Sequence, residues 1–355
     1  MQVVDLKRYK HVFSMDPRVA KLVMLKKIIQ KSPEWFQARS KMITASSASN
    51  LLIKDDKTCD PYIKEYDLRG IFEKNSRCCN PYGSKNQYIL DKCVGSKFKG
   101  SVATYWGQKY EDVVCDIYRN RFKTEILEFG IITHPKYSWL GASPDGITPS
   151  GTMIEIKCPF RRKITGIPPF YYWIQVQLQL EVCDLEVCDF VEYGFMEFLS
   201  DEEFRDDQSL DKTVYNKGAV VCIQLLDDNS EPILGECSYC YPPKEILDDT
   251  EKIISWSHLK IDELKKMLKE GAEHKVNINL TYWKVVDFSI VKIKRDRKWF
   301  EDVRPVFEKG WGEIEYYKRN ENYMHLVTKK KMSDIDGKTL HLDIENSCIL
   351  HSDSE

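Results

Sequence analysis

Apolar positions along the chain fall into two periods, one helical and one extended. Val19, Leu22, Val23, Ile28 and Ile29 recur at helix-like spacing, and Ser32-Pro33-Glu34 reads as a cap followed by a new first turn, so two short helices open the fold. Tyr110, Val113, Val114, Ile117 and Tyr118 predict a helix over 105–121. The runs 126–133, 139–142 and 153–157 have strand character and are parted by His-Pro, Pro-Asp-Gly and Pro-Ser-Gly, which predicts an antiparallel meander. A helix over 171–182 follows, then strands over 187–198 and 219–226, a long charged helix over 243–270, a strand over 283–293 and a helical region over 296–323. Lys, Asp, Asn and Gly dominate 54–100 with weak periodicity, which predicts an insertion of helical fragments joined by loops. The order of elements implies the α/β class, with a central mixed sheet flanked by helices.

Composition narrows the function classes. At 355 residues, with 42% hydrophobic and 12% aromatic side chains, the chain is long and apolar enough for one large domain with additions or for two domains. Fifty-three Lys and Arg against 55 Asp and Glu exclude a uniformly basic surface, so any polyanion must be held by a local patch. The 12 cysteines are spread along the chain behind an opening, MQVVDLKRYK, that has no apolar stretch, and are expected as reduced thiols. Cys237 and Cys240 form a lone CxxC with no second close pair to complete a zinc or cluster site. No apolar run approaches the roughly 20 residues of a membrane-spanning helix. A cytosolic or nuclear setting is expected, and the triplet Lys329–Lys331 is too short to separate the two.

Candidate chemistry centres on Ser143-Pro144-Asp145-Gly146 and Glu155-Ile156-Lys157. Alternate strand residues share a face, so Glu155 and Lys157 project together, and Asp145 at the preceding turn reaches the same side. Two carboxylates repel unless a cation lies between them, and hard oxygen donors suit Mg²⁺ or Mn²⁺. Carboxylates, a divalent ion and a lysine are the requirements of phosphodiester hydrolysis. Taken alone, Glu-Ile-Lys also reads as a solvated charge pair. Arg39, followed by Thr44 and Ser46 before an apolar helical run, offers a guanidinium fork and hydroxyls near a helix N-terminus, either a phosphate cradle or a plain cap. Lys157, Arg161, Arg162 and Lys163 form one basic run and 292–298 a second, each a candidate for sequence-indifferent contacts to a nucleic-acid backbone or an ordinary solvated face.

Five ordered blocks resemble the YqaJ-type viral recombinases, the lambda-exonuclease branch of the PD-(D/E)xK nuclease superfamily. They are SPEWFQARSKMITASSASNLL at 32–52, YWGQKYED at 105–112, LGASPDGI at 140–147, MIEIKCPF at 153–160 and YYWIQVQLQLEV at 171–182. The wording is most similar to the versions carried by large cytoplasmic DNA viruses, which implies a viral protein of the host cytoplasm or viral replication site. The resemblance implies a restriction-endonuclease-like core and a Mg²⁺-dependent exonuclease, with Mn²⁺ as a substitute and two ions in the site. Such an enzyme digests one strand of duplex DNA from its 5′ end and leaves a 3′ overhang for recombination, repair or replication. By matching positions, Asp145 and Glu155 become metal carboxylates, the Ile156 carbonyl a backbone ligand, Lys157 the catalytic lysine and Glu111 the helix carboxylate that completes the site. Arg39, Ser46, Ser143 and Gln175 become the 5′-phosphate pocket, and Gln177 stays out of it. Arg161, Arg162 and Lys163 are left to grip the DNA backbone.

The implied partner is a duplex DNA end, and no membrane is implied. The phage-type enzymes form a ring of three, but the segments beyond the family core could block or replace that contact, so the oligomeric state stays open. The charged helix over 243–270 is a candidate surface for a protein partner such as a single-strand annealing protein. The organisation expected is an N-terminal helical extension over 1–31, a nuclease core over 32–242 with the insertion at 54–104, a helix-strand-helix addition over 243–327 packed on the core, and a polar tail over 328–355. Two other functions fit the same residues: an endonuclease or RNA-cleaving host-shutoff nuclease, and a scaffold that binds DNA without turnover. The intact Asp145, Glu155 and Lys157 speak against the scaffold.

Overall fold

The computed structural model describes residues 15–25, 28–30, 32–52, 83–95, 100–211, 215–271, 275–321, 323 and 326. Most of the expected insertion at 54–104 and the tail at 328–355 lie outside the described residues. Helices α1 (Pro17–Val23) and α2 (Pro33–Ser40) open the fold, and the Ser32 hydroxyl accepts from the Trp35 N–H as the Ser-Pro-Glu reading expects. Next come β1 (Ile43–Thr44), a 3₁₀ turn at Ala45–Ser47, α3 (Ser49–Leu52) and α4 (Lys85–Val94). Helix α5 (Val102–Phe122) is capped by Ser101, whose hydroxyl accepts from the Thr104 N–H, and it stops at Lys123 in the left-handed region at φ 50°. Its buried stripe is the predicted one: Tyr110, Val113, Val114, Ile117 and Tyr118.

Strands β2 (Ile132–Thr133), β3 (Leu140–Ala142), β4 (Gly146–Ile147) and β5 (Thr152–Lys157) precede α6 (Phe170–Cys183) and β6 (Val187–Phe198). After these come α7 (Asp201–Asp206), β7 (Lys217–Leu226), β8 (Pro232–Cys240), α8 (Thr250–Gly271), β9 (Val276–Lys294) and α9 (Arg297–Asn320). The strands form a small sheet in the order β1-β3-β2 and a six-stranded sheet in the order β4-β5-β6-β9-β7-β8. The larger sheet is mixed, because β5 and β6 run parallel across the α6 crossover while its other pairs are antiparallel.

The single antiparallel meander expected over 126–157 is therefore divided. β3 pairs with β2 on one side and with β1 on the other, whereas β5 turns away to pair with β4 and, in parallel, with β6. β5 is covered on both faces, by α5 and α6, so its own pattern does not mark which strand lies beside it, and local pattern favoured the nearest strands. Residues 243–327, expected as an addition packed on the core, instead supply β9, which lies between β6 and β7 and ties the sheet together. β8 was not expected, and the 243–270 helix is a 3₁₀ turn at Lys244–Ile246 followed by α8.

Two apolar layers cover the large sheet. Met153, Cys188, Phe190 and Ile293 pack with Phe170, Trp173, Ile174 and Leu178 of α6. Ile154, Ile156, Val191 and Phe195 pack with Tyr110, Val114 and Tyr118 of α5. Successive β5 side chains thus alternate between layers, which sends Glu155 and Lys157 to the α6 side with Met153. α9 closes over α3, α4 and α6 with Trp299, Phe300, Val303, Phe307 and Ile314, and Gly310 leaves the room that Leu51 fills. Among the described residues no helix is long and apolar enough to cross a membrane.

Candidate active site

Glu155 sits on β5 with 1% of its surface exposed, a position that a carboxylate tolerates only when its oxygens are hydrogen-bonded. They are. Oε1 accepts from Lys157 Nζ and from Gln175 Nε2, each at 2.5 Å, and Oε2 accepts from Gln179 Nε2 at 2.7 Å. The Lys157 ammonium also lies 4.9 Å from the centre of the Tyr172 ring. One strand away, Asp145 Oδ2 accepts from the Ile156 N–H at 2.7 Å, which locks the Pro-Asp-Gly turn to the C-terminal end of β5. Burial pushes the Asp145 carboxyl well above the usual carboxylate range, and the negative charges of Glu155 and Glu111 push it further, against the opposing pull of Lys157 and the Ile156 N–H.

These groups open into a cavity of about 230 Å³ lined by Glu111, Asp145, Glu155, Lys157, Gln175 and Gln179 on one side and by Trp35, Arg39, Ser46 and Ser143 on the other. α5, on the opposite face of the sheet, lends Gln108 and Glu111 to the same space. Every side chain expected in the metal site or the phosphate pocket therefore reaches one cavity, although their positions span residues 39–175.

On the second side, the Arg39 guanidinium stands 4.3 Å over the Trp35 ring and donates to Ser46 Oγ at 3.2 Å. The Trp35 indole N–H donates to Ser143 Oγ at 3.1 Å. Lys92 of α4 donates to the carbonyls of Arg39 and Met42 at 2.7 and 2.8 Å, and Lys318 of α9 to that of Ser40 at 3.0 Å, so two cations close the C-terminal end of α2. Burial, then the charges of Arg39 and Lys318, bring the Lys92 ammonium down to about 7.

Other expectations meet a different outcome. Arg161, Arg162 and Lys163 do not line the cavity. Arg162 is bound to Glu192, which is wholly buried, so part of its guanidinium is engaged with the interior. The basic run at 292–298 is largely neutralised: Lys292 pairs with Asp189, Arg295 with Glu181 and Asp184, Arg297 with Glu186 and Lys298 with Asp302. Gln175 donates to Glu155 on the acidic side of the cavity. Gln177, left out of the site, indeed points elsewhere, donating to the Lys294 carbonyl and accepting from the Asp296 N–H. Gln179, Gln108 and Trp35 were missed; Gln179 and Gln108 stand four and three residues from a recognised partner on the same helix, a spacing that puts them on one face. Cys237 pairs across the ladder with Gln224 and Cys240 with Val221, so the two thiols of the CxxC point to opposite faces of β8.

Among the described residues no three His, Cys, Asp or Glu side chains stand as a ready-made cage for an ion. The donor set nonetheless fits a hard divalent cation: acidic oxygens share one small cavity and crowd Asp145 with like charge, a condition that a cation relieves. Asp145, Glu155 and Glu111 are the residues that would hold it.

The segment that builds this cavity also decides the comparison with known proteins. Residues 34–186 match the YqaJ-like viral recombinase domain. All the lining side chains except Gln30 fall within this YqaJ-like segment. An uncharacterised protein of Acanthamoeba polyphaga mimivirus is 26% identical over 356 residues, taking in 92% of this chain and 59% of that protein. The chain thus spans about three fifths of that relative's length. Among solved structures, the Laribacter hongkongensis exonuclease LHK-Exo in complex with dAMP aligns at 19% identity and a TM-score of 0.42, covering 82% of this chain and 98% of that one. A phage-related exonuclease from Haemophilus somnus aligns at 11% identity and a TM-score of 0.40, covering 79% and 96%.

Proposed function

We propose that this chain is a metal-dependent DNA exonuclease that digests one strand of linear duplex from a 5′-phosphorylated end to 5′-mononucleotides, leaving 3′ overhangs for recombination, repair or replication. The observation that carries the reading is the meeting, in one cavity, of an acidic half built on Asp145, Glu155 and Glu111 with a cationic and hydroxyl half built on Arg39, Ser46 and Ser143. The match of residues 34–186 to the YqaJ-like viral recombinase domain supports it.

Arg39 offers a planar fork to a terminal phosphate, and the Ser46 and Ser143 hydroxyls face the same space. A phosphate held there shares its cavity with Glu155 and Lys157. The Lys157 ammonium, fixed by Glu155, faces the charge that builds on the phosphoryl oxygens as the bond breaks. Mg²⁺ or Mn²⁺, when bound, supplies Lewis-acid polarisation and lowers the pKa of the attacking water. A cavity of this size suits the terminus of one strand and not an intact duplex, so the reading requires an end.

A digestion time course with Mg²⁺ tests the proposal on linear duplex with 5′-phosphate or 5′-hydroxyl ends, on closed circular DNA and on RNA. Mononucleotides from the phosphorylated linear duplex, with the circle left intact, are expected. Cutting of the circle at a similar rate rules out end dependence, and faster digestion of RNA moves the substrate class.

A further inference from the structure

We infer that Gln175 and Gln179 are positioning residues that clamp Glu155 for a divalent cation. The inference rests on the proposed site only in that the site draws such a cation. The two glutamines stand four residues apart, so they rise from one face of α6, the face that β5 alternation gives to Glu155. Each donates its amide N–H₂ to a different oxygen of the carboxylate, Gln175 to Oε1 at 2.5 Å and Gln179 to Oε2 at 2.7 Å. Held at both oxygens by donors from one rigid helix, the carboxylate cannot rotate without breaking a buried hydrogen bond.

Their chemistry matters as much as their geometry. A buried carboxylate is usually satisfied by a cation, and here Lys157 supplies one. Two further cationic partners in place of the glutamines would neutralise the cavity and repel a metal ion. Neutral amides satisfy the oxygens and leave the negative charge in place, so the remaining lone pairs of Glu155 still draw a cation. A second observation points to a ligand. Gln179 is 1% exposed and lines the cavity, yet its Oε1 is buried with no hydrogen-bond partner among the described residues. Buried acceptors are seldom left unmatched, and the water shell of an ion beside Glu155 supplies the missing donor.

The test is calorimetric titration of the full chain with MnCl₂, which needs no turnover, on wild type, Gln175→Leu and Gln179→Leu, with thermal melts to confirm folding. Each substitution is expected to weaken Mn²⁺ binding by about tenfold or more, the loss usual when a group that orients a metal ligand is removed. Should Gln179→Leu fail to fold, Gln179→Met, which keeps the length of the side chain, takes its place in the same titration. Kinetics on phosphorylated duplex then separate the roles: a clamp lowers kcat at saturating DNA and leaves KM for the 5′-phosphorylated end within about twofold. Mn²⁺ affinity unchanged in both variants overturns the inference, as does a wild type that takes up no Mn²⁺. A raised KM for phosphorylated ends with unchanged ion affinity returns Gln175 to the phosphate and also overturns it. If Mn²⁺ binds, the variants weaken it and no DNA is digested, the clamp stands and the nuclease reading falls.

Discussion

The Trp35 indole N–H donates to Ser143 Oγ at 3.1 Å, joining helix α2 to the turn that carries Asp145. The same ring bears the Arg39 guanidinium on its face at 4.3 Å, so one side chain sets the position of both halves of the cationic cluster. Trp35→Phe keeps an aromatic face and loses the donor; Trp35→Leu loses both. The expected order of preference for 5′-phosphate over 5′-hydroxyl ends is wild type, then Phe, then Leu, with the Leu variant losing about tenfold, the equivalent of roughly 1.4 kcal/mol, a sum in the range of one cation–π contact and one hydrogen bond. Competition binding with phosphorylated and unphosphorylated ends checks it, and equal preference in all three would remove Trp35 from the cluster.

Arg162 supports the fold more than the substrate. Glu192, wholly buried in β6, is bound by its guanidinium, so Arg162→Ala takes a charged partner away from a buried carboxylate. A loss of about 3 kcal/mol in denaturant unfolding is expected, with no matching loss of DNA affinity in the fraction that remains folded. Arg161→Ala, on an exposed side chain, should do the reverse. Unchanged stability of Arg162→Ala would show that the ion pair contributes nothing.

The ammonium of Lys92 gives a pH dependence with a defined sign. Its folded value, about 7, lies below the ordinary 10.5, so between those limits the unfolded chain binds more protons and folding stability rises with pH. Below about pH 7 the full cost of burying the charge is present; above about 10.5 it is gone. Relative to Lys92→Met, wild-type stability is therefore expected to climb by on the order of 1 kcal/mol per pH unit between pH 7.5 and 9.5. Parallel stability curves for the two proteins would contradict the assignment.

How far the sequence discloses this arrangement depends on how local each signal is. The helices carrying Tyr110 and Gln175, and the strand carrying Glu155, announce themselves by period and by their caps and turns. The pairing of β5 with β6 does not, because a strand covered on both faces does not show in its own pattern which strand lies beside it, and β9 reaches its place between β6 and β7 from far along the chain. The same limit governs the site. Asp145, Glu155 and Lys157 are legible because eleven residues separate the turn from the C-terminal end of the strand. Nothing near Arg162 in the sequence shows that its partner is a buried glutamate thirty residues on. Gln179 was legible in principle, one helical turn beyond Gln175, but only once Gln175 was known to donate to Glu155.

The central claim is that Glu155, buried and held by Lys157 and two glutamines, makes this cavity a hydrolytic centre. Glu155→Gln preserves size and most hydrogen bonds while removing the charge, so the direct measurement is single-turnover cleavage of 5′-phosphorylated linear duplex by wild type and by this variant with saturating Mg²⁺. A fall of at least about a hundredfold in rate, with DNA-end binding retained, is expected from the loss of one charged group at a reacting centre; a Glu155→Gln protein that cuts as fast as wild type would contradict the account.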